Sequence, residues 1–265
     1  TYVKGGVYKE QFVLFRQSGT QSAPIRLLNA PGEFPIIECI DYTAGHRVNI
    51  QSASGTKYPI GWITIEGFEI RKCHNGIKFY NLHNGTIRRN WIHHNAGGSG
   101  IFGWGTKVVI DRNMISSNGS SSAGGHGIYS NGSYFTITNN LIFDNQNYGV
   151  QLNGSSTSLY SSTRHAGPEY ASSTNWTISN NTFAYQKQQA GMVVWGSTCN
   201  NARIENNIFY ENAVTRGTSS PQAITFLSTL CTGTIVRNNL ALPVGLEERS
   251  LVKERPQGSR NPATL

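Results

Sequence analysis

The chain is short of charge, of methionine and of long apolar runs. Charged residues make up 14% of its 265 residues, against about 25% in typical soluble domains, which excludes a coiled coil or a bundle of long helices. No apolar run approaches the ~18 residues of a membrane-spanning helix, so we expect no membrane partner. Hydrophobic residues still reach 37%, with five Trp, 12 Tyr and 11 Phe, and such a chain can fill a core rather than stay disordered. The sequence starts at Thr1 in a strand-like stretch without a signal peptide, from which we expect a processed or truncated N-terminus.

Asparagine, glycine and positive charge are present in excess. The chain contains 26 Asn and 29 Gly, and its net charge is +8. Its basic residues form no run or stripe of the kind that nucleic-acid-binding domains carry, so we expect no nucleic-acid partner. A diffuse positive field suits a soluble acidic polymer such as a uronate-containing polysaccharide, and it is equally compatible with charge that only keeps the protein soluble.

A repeated phrase organises most of the chain. The phrase is Ile-x-x-Asn-x-Ile-x-x-Asn, followed by a variable turn and a short strand that starts at Gly-Ile. An early copy has Phe68 in the middle position, and the middle Asn of the later copies is Asn90, Asn113, Asn140, Asn181, Asn207 and Asn238. Copies of near-constant minimum length with variable excess indicate a solenoid whose insertions form loops. Apolar residues alternate or lie five apart around each Asn, which predicts short strands joined by a turn.

The middle Asn has a physical reason in such a solenoid. At a tight corner between strands, Asn tolerates left-handed backbone and bonds to neighbouring main chain. Stacked from coil to coil, these amides are expected to form one ladder in which buried polar groups satisfy one another. The pattern resembles the right-handed parallel β-helix family, the fold of pectate lyases and polygalacturonases, over residues 1–244. The resemblance implies an all-β fold, a single-stranded right-handed parallel β-helix.

The two ends depart from the repeat. Residues 1–60 are irregular, and phrases such as Gly5-Gly6-Val7-Tyr8 resemble the opening of secreted polysaccharide lyases, so we expect the first coils with their cap missing. Residues 245–265 lose the repeat and hold little apolar material. We interpret them as a tail outside one rod-like domain at residues 1–244.

Four cysteines can be placed on the repeat. Cys199 and Cys231 follow corresponding strand residues of successive coils by four positions, so we expect them to be neighbours able to form a disulfide. Cys39 and Cys73 each follow an Ile-containing strand and can pair likewise. Two bridges indicate an oxidising compartment, and hence a secreted, extracellular or periplasmic protein, whereas four free thiols are the alternative. No Cys/His spacing suggests a zinc site.

The strand that starts at Gly-Ile predicts a binding face. Side chains alternate along a strand, so every second residue points outward. The two outward columns are Lys78, Phe102, Tyr129, Gln151, Val193 and Thr225, and beside them Tyr80, Trp104, Asn131, Asn153, Trp195 and Leu227. Aromatic rings stack on sugar rings and amides bond sugar hydroxyls, and a monomer seldom exposes such a stripe without a use. The residues that we expect to bind substrate are Tyr80, Phe102, Trp104, Asn131, Gln151, Asn153 and Trp195. The alternative is a second small core covered by loops.

Two insertions flank the middle of this face. One is the Gly/Ser-rich stretch 119–125, and the other is the loop at 154–173 that carries Arg164 and His165. Long loops on a compact scaffold are usually functional or disordered. His126 lies at the centre in Gly-His-Gly-Ile, which resembles a short motif of polygalacturonases. A purely structural His at a strand start is the alternative interpretation.

The residue types of the face favour elimination over hydrolysis. Polygalacturonases carry a cluster of aspartates here, whereas these outward columns contain no carboxylate, and hydrolysis needs two spaced carboxyl groups. A lyase must neutralise the uronate carboxylate, remove the C5 proton and protonate the leaving oxygen. The candidate catalytic residues are His126, Tyr129, Lys78, Arg164 and His165. His126 or Tyr129 is assigned as base or acid, Arg164 as the carboxylate clamp and Lys78 as a second cationic contact.

Three functions compete at this point. The first is a polysaccharide lyase or epimerase on an acidic glycan, which the positive charge and the His/Tyr/Arg group favour. The second is a non-catalytic, adhesin-like glycan-binding β-helix, and the third is a glycoside hydrolase with carboxylates hidden in loops. Several lyases of this fold use calcium, but we predict no metal or other cofactor because no dense acidic cluster is visible. We expect a monomer that binds polysaccharide. The pairs Arg88-Arg89 and His93-His94 are expected to lie solvated on other faces.

Overall fold

Twenty-eight short strands and no α-helix make up the portion of the chain that the structure describes. The structure is a computed structural model that describes residues 1–10, 12–40, 42, 45, 47–122, 124–154, 173–196, 199–215, 223–227, 231–242 and 252–254. Among these residues, no helix is long and apolar enough to cross a membrane.

The strands form three parallel sheets that the chain visits in turn. Sheet 1 consists of β1 (Tyr2–Val3), β4 (Ile25–Asn29), β8 (Ile63–Glu66), β11 (Thr86–Arg88), β14 (Val109–Asp111), β17 (Thr136–Thr138), β20 (Thr177–Ser179), β23 (Arg203–Glu205) and β26 (Ile235–Arg237). Sheet 2 consists of β2 (Gly6–Glu10), β5 (Pro35–Cys39), β9 (Glu69–Arg71), β12 (Trp91–His93), β15 (Met114–Ser116), β18 (Leu141–Phe143), β21 (Thr182–Ala184), β24 (Ile208–Tyr210) and β27 (Leu240–Leu242). Sheet 3 consists of β3 (Phe12–Phe15), β6 (Arg47–Ile50), β10 (Ile77–His83), β13 (Ile101–Thr106), β16 (Ile128–Ser133), β19 (Val150–Gly154), β22 (Met192–Gly196), β25 (Ile224–Phe226) and β28 (Val252–Glu254), and β7 (Ile60–Gly61) also pairs with β10.

Each coil adds one strand to every sheet. Strands β10, β11 and β12 of one coil pair in parallel with β13, β14 and β15 of the next, so successive coils stand about 4.8 Å apart. Crossover connections between parallel strands are right-handed in nearly all proteins. The predicted right-handed parallel β-helix is confirmed.

Columns of aliphatic and aromatic side chains fill the interior. The middle residue of each short strand points inward and is buried: in sheet 1 these are Ile65, Ile87, Ile110, Ile137, Ile178 and Ile204, and in sheet 2 Ile70, Ile92, Ile115, Ile142, Phe183 and Phe209. Phe183 and Phe209 stack with ring centroids 4.9 Å apart. Burying a side chain of this size contributes about 1.5–3 kcal/mol, so the stacked columns hold each coil on its neighbours.

The predicted asparagine ladder follows the corner between sheets 1 and 2. Asn113 donates Nδ2 to the Ile87 carbonyl at 2.9 Å and accepts, through Oδ1, both the main-chain N–H and the amide of Asn90. The members are Asn90, Asn113, Asn140, Asn181, Asn207 and Asn239. The prediction of Asn238 was wrong, because Val236 rather than Ile235 pairs with Ile204, so the last copy is shifted by one residue.

Left-handed backbone at this corner belongs to the residue before each ladder Asn. The residues with φ near +55° are Arg89, Arg112, Asn139, Asn180, Asn206 and Asn238. Each is exposed, whereas the Asn that follows points inward to the next coil. The expectation that the ladder Asn itself adopts the left-handed conformation was therefore wrong, since the turning residue projects outward and the ladder residue projects inward.

A second ladder, which we did not predict, follows the far end of sheet 2. Asn95, Asn118, Asn145 and Gln186 are joined amide to amide, as Asn118 Nδ2 is to Asn145 Oδ1 at 3.0 Å. Asn212 extends the ladder by accepting the main-chain N–H of Gln186 at 3.3 Å. These residues close each copy of the repeated phrase, so the signal for the second ladder was present in the sequence.

Both disulfide pairings are confirmed. Cys39 bonds Cys73 and Cys199 bonds Cys231, with Cα atoms 4.9 Å and 4.8 Å apart. Each bridge joins neighbouring coils. The alternative of four free thiols is excluded, and no free cysteine occurs among the described residues.

The ends of the chain contribute to the sheets. Strands β1 to β6 enter all three sheets, although the sequence there is irregular. Strand β28 falls in the segment that we interpreted as a tail, and it pairs in parallel with β25. The domain boundary at residue 244 stays a prediction.

The two basic pairs lie on sheets 1 and 2, away from sheet 3. Arg88 and Arg89 contact Glu66 at 2.8 Å and 2.9 Å. His93 was expected to be solvated, and this was wrong. The residue is only 5% exposed, and its ring stacks on Trp91 and contacts a carboxylate oxygen of the Glu69 side chain at 3.1 Å. Burial is the main cause that lowers the pKa of His93.

Candidate active-site face

The two columns predicted on sheet 3 are present with the predicted register. In the first column each residue pairs with the next: Lys78, Phe102, Tyr129, Gln151, Val193 and Thr225. In the second column Tyr80 lies opposite Trp104, Trp104 opposite Asn131, and Asn153 opposite Trp195. The alternating residues, such as Ile77 and Phe79, are fully buried inside. The columns therefore lie on the outer side of the sheet.

Several residues of the two columns are more buried than predicted. Trp104 is 5% exposed, Gln151 8%, and Asn131 and Asn153 2% each. The prediction of an open row was wrong for these four residues and for Val193, which is fully buried. Half-buried positions are Lys78, Tyr80, Phe102, Tyr129 and Thr225. Trp195, at 45% exposure, is open to solvent as predicted.

Ring contacts within the face account for the burial of Trp104. Tyr80 meets Trp104 edge to face with centroids 4.6 Å apart, and Phe102 meets Tyr129 likewise at 5.3 Å. Phe102 and Trp104, two residues apart on one strand, also meet edge to face. Edge-to-face pairs are favourable beyond the area they bury. We call Tyr80, Phe102, Trp104 and Tyr129 the aromatic cluster.

Glycine precedes the strands of sheet 3 because the main chain of the next coil and the second ladder leave no room for a side chain. A Cβ on Gly127 would lie 2.5 Å from the Gly149 carbonyl oxygen and 3.1 Å from Nδ2 of Asn145. A Cβ on Gly100 would meet the Asn118 amide at 2.8 Å.

His126 belongs to a third series of contacts, in which a side chain of one coil accepts a main-chain N–H of the next. Asn75 Oδ1 accepts the main-chain N–H of Ser99 at 2.9 Å, and Ser99 Oγ accepts that of His126 at 3.1 Å. His126 Nδ1 in turn accepts the main-chain N–H of Tyr148 at 3.3 Å. We did not predict Ser99 or Tyr148, although each stands one residue before the strand-starting glycine, as His126 does.

The protonation of His126 follows from these contacts. The imidazole stacks on Tyr148, with centroids 5.7 Å apart, and meets Tyr129 at 5.2 Å. Burial lowers the pKa of His126 to about 4, so the ring is neutral at neutral pH. Because Nδ1 accepts a hydrogen bond, the proton of the neutral ring lies on Nε2. His126 therefore acts as a hydrogen-bond donor at Nε2 and has no free lone pair with which to abstract a proton.

Tyr129 is a second neutral donor. Its hydroxyl accepts the Asn153 amide at 3.4 Å, and burial raises the pKa of the phenol. The hydroxyl consequently keeps its proton at neutral pH and can deliver it to an acceptor bound on the face.

Cationic groups gather at the N-terminal end of the face. Lys78 Nζ lies 4.9 Å from the centre of the Phe102 ring and 5.2 Å from that of Tyr80. The pKa of His74 is lowered by burial first, and then by the positive charges of Lys78 and Arg47. The sequence pattern identified Lys78 but neither His74 nor Arg47.

Of the flanking insertions, the first is described almost completely. Ser120 and Gly124 exchange both of their main-chain hydrogen bonds at 2.8 Å, and the Gly125 carbonyl binds the N–H of Asn147 at 2.9 Å. This hairpin lies directly before His126. Arg164 and His165, predicted in the second insertion, lie outside the described residues.

The ion-paired carboxylates of the described ranges lie away from the two columns. Glu66, Asp111 and Glu205 lie on sheet 1, Glu38 and Glu69 lie on sheet 2, and Asp144 follows β18; each is in an ion pair. Nor do any three His, Cys, Asp or Glu side chains within these ranges stand close enough to hold a metal ion.

Solved structures share this fold at low sequence identity. An alginate lyase from Paenibacillus sp. str. FPU-7 superimposes with a TM-score of 0.51 at 13% identity, over 95% of this chain and 90% of the lyase. The ORF18 protein of Geobacillus virus E2 gives 0.53 at 15% identity, over 91% of this chain and 52% of its own. A DFA-IIIase from Arthrobacter chlorophenolicus A6 gives 0.53 at 13% identity, over 88% and 55%. The chain thus spans about half the length of the last two, and a search of curated proteins found no match.

A family model covers most of these coils. The model described as "Right handed beta helix region" matches residues 48–241, which is most of the chain and runs from strand β6 to strand β27. The chain therefore belongs to the right-handed β-helix family.

Proposed function

We propose that the protein is a carbohydrate-active β-helix that cleaves an acidic, uronate-containing polysaccharide by β-elimination. The observation that carries the proposal is the composition of the described face of sheet 3. Its columns offer a neutral donor at Tyr129 and a cation at Lys78 and contain no carboxylate, and His126 beside them is a second neutral donor. The described residues of this face do not supply the pair of carboxyl groups that hydrolysis needs. The fold shared with an alginate lyase over 90% of that enzyme supports the same choice.

β-Elimination at this site transfers two protons and breaks one glycosidic bond. A base removes the C5 proton, the electron pair forms the C4–C5 double bond, the C4–O4 bond breaks, and O4 takes a proton. Tyr129, neutral because burial raises its pKa, donates that proton. His126 donates its Nε2–H to the uronate carboxylate, where negative charge accumulates in the transition state.

Proton abstraction needs a group with a free lone pair. His126 lacks one, because Nδ1 is occupied by the Tyr148 N–H. His165 is the imidazole that the sequence places in the insertion after β19, so we assign the base to His165. Arg164 beside it keeps its predicted role as carboxylate clamp. Lys78 stands two strands from Tyr129, and we assign it to a neighbouring sugar.

The test is the ultraviolet absorbance of unsaturated uronate formed from alginate, pectate and glycosaminoglycans. We expect product from one of these polymers, with Tyr129→Phe and His165→Ala each lowering the rate about 100-fold or more. Tyr134→Phe serves as the matched control, because Tyr134 is 53% exposed at a corner outside the columns. No product from any polyanion, combined with new reducing ends on a neutral glycan, would establish the hydrolase instead.

Binding without catalysis is the second candidate function. Trp195 supports it, since this large aromatic side chain is 45% exposed at the C-terminal end of the face. If the protein binds an acidic glycan and releases no product from it, and Trp195→Ala abolishes binding, the protein is a glycan-binding β-helix.

We also propose that the protein functions outside the reducing cytosol as a monomer. Two disulfides are formed among the described cysteines, and such bonds persist in oxidising compartments. Fractionation of the source cells and sedimentation of the purified chain test the two statements.

A further inference from the structure

Two cations at the N-terminal end of the aromatic cluster have no acidic partner among the described residues. Arg47 donates a hydrogen bond from Nη1 to the Gly45 carbonyl at 2.8 Å and another from Nε to Asn49 Oδ1 at 3.4 Å. Lys78 lies over the rings of Tyr80 and Phe102. Both charges are half-buried, and a charge removed from water in this way gains more from an opposite charge than one in bulk solvent does.

Several basic residues on the other two sheets have acidic partners. Arg71 is paired with Glu38 and Glu69, and Arg88 is paired with Glu66. Arg203 and Arg237 share Glu205 in the same way. Among the half-buried lysines and arginines of the described ranges, Arg71 and Lys187 are ion-paired, whereas Arg47 and Lys78, on the face where substrate is proposed to bind, are not. The other unpaired lysines and arginines of these ranges, such as Arg26 and Lys107, are exposed to water.

Register brings these cations together. Lys78 lies directly opposite Asn49 on the neighbouring strand, and Arg47 precedes Asn49 by two residues, on the same side of that strand. His74 lies close enough for both charges to lower its pKa. A Cβ on Gly97 would meet the His74 ring at 2.5 Å, so the glycine of the next coil leaves the space that the imidazole occupies.

We propose that Arg47 and Lys78, bordered by His74 and Asn49, form an anion-binding subsite for a charged group of the glycan. The subsite rests on the proposed function, because it lies on the same face. From Lys78 to Tyr129 the column advances by two coils, or about 10 Å. The anionic group therefore belongs to a sugar other than the one that reacts at Tyr129, and a substrate must extend over several sugars to reach both places.

The chemistry of the subsite favours a carboxylate or a sulfate ester. The Arg47 guanidinium offers planar paired donors that fit either group, and Lys78 adds a point charge over the aromatic rings. A neutral sugar satisfies neither cation.

Titration calorimetry with three tetrasaccharides tests the subsite without requiring turnover. The ligands are an oligouronate, its carboxyl-reduced analogue and a sulfated oligosaccharide, and the variants are Lys78→Met and Arg47→Gln. We expect the wild-type protein to bind an anionic tetrasaccharide at least about tenfold more tightly than the neutral one, and each variant to lose about tenfold for the anionic ligand only. Preference for the uronate or for the sulfated ligand identifies which anion the subsite takes.

Lys107→Met is the matched control, since Lys107 is an exposed lysine at the corner after β13 and its loss changes net charge equally. Equal affinity for charged and reduced ligands, or full discrimination retained by both subsite variants, would overturn the proposal. Loss of discrimination in Lys107→Met to the same extent would also overturn it, because long-range charge would then explain the effect. Charge-selective binding that depends on Lys78 supports the subsite even if no unsaturated product forms, so failure of the lyase assignment is distinguishable. Thermal melting of each variant verifies that it is folded.

Discussion

Acidification should destabilise the protein through His126 in a pH window that the structure defines. The imidazole packs against Tyr148 and Tyr129, and its Nδ1 already accepts a main-chain N–H. Protonation would place a charge in this site and break that hydrogen bond. Burial accordingly lowers the pKa of His126 to about 4 in the folded protein, whereas the unfolded chain has the ordinary value of about 6.5.

The difference between the folded and unfolded pKa of His126 determines how much stability is lost on acidification. A histidine whose folded pKa is depressed gives its full contribution to stability above the unfolded pKa, and loses it as the pH falls towards the folded pKa. From about pH 8 to about pH 5 the loss in free energy of unfolding is about 2 kcal/mol, and at about pH 4 it reaches about 3 kcal/mol. For a domain of this length, 2 kcal/mol corresponds to roughly 4–8 °C in melting temperature.

His126→Asn isolates this contribution. Asn75 precedes Ser99 in the same series, and its Oδ1 accepts the Ser99 N–H at 2.9 Å. We therefore expect an Asn at position 126 to accept the Tyr148 N–H without titrating. Urea unfolding of both proteins at a series of pH values, followed by circular dichroism, gives the difference directly. Other groups that titrate in this range, including His74, His83 and Glu38, are common to both proteins and cancel.

If the free energy of unfolding falls with pH by the same amount in wild type and in His126→Asn, the reasoning is refuted. His126 would then have the same pKa in the folded and in the unfolded protein. A smaller loss of unfolding free energy in the wild type than in His126→Asn as the pH falls would refute it more strongly. An imidazole titration of His126 followed by nuclear magnetic resonance provides the independent check, with a midpoint near 4 expected.

Three further predictions concern the scaffold. Asn140→Ala removes the amide that both accepts and donates in the first ladder and should cost about 2–4 kcal/mol in urea unfolding, whereas Asn139→Gly next to it, at φ +58°, should cost less than about 1 kcal/mol; equal costs would contradict the ladder assignment. Gly127→Ala forces a Cβ to within 2.5 Å of the Gly149 carbonyl oxygen and should lower stability by about 2 kcal/mol or more, and an unchanged melting temperature would disprove the close packing. Replacing both Cys39 and Cys73 by Ala opens a bridge with a sequence separation of 34 and should cost about 3–4 kcal/mol; the same unfolding midpoint with and without reductant would argue against a stabilising bridge.

The fold could be predicted from the sequence because each copy of the repeat specifies its own part of the coil. Each phrase supplies its own inward apolar residue, corner and ladder amide, so aligning copies of the phrase aligns the coils. The alignment failed at Asn238, where Ile235 resembles the start of a phrase but Val236 takes the inward place opposite Ile204. Apolar residues at adjacent positions make the register ambiguous by one residue, and pairing with the preceding coil removes the ambiguity.

The site was predicted incompletely for a related reason. Alternation along the strand placed Lys78 opposite Phe102 and Phe102 opposite Tyr129, as found. Exposure depends instead on what neighbouring coils contribute, and Trp104 is nearly closed off where it packs against Tyr80 and Phe102. The same limit applies to His93, whose burial depends on its contacts with Trp91 and Glu69.

The sequence by itself determined the solenoid, its strand phase, the disulfide partners and the two columns of sheet 3, because each depends on spacing along the chain. Tertiary structure alone decided that Asn239 rather than Asn238 joins the first ladder, which column residues remain open and which protonation state His126 adopts. Those properties arise from contacts between residues one coil apart in space and more than 20 apart in sequence, as between His126 and the Tyr148 N–H. Burial and hydrogen bonding at such contacts determine the protonation of His126 and Tyr129, and with it the chemistry that this face can perform.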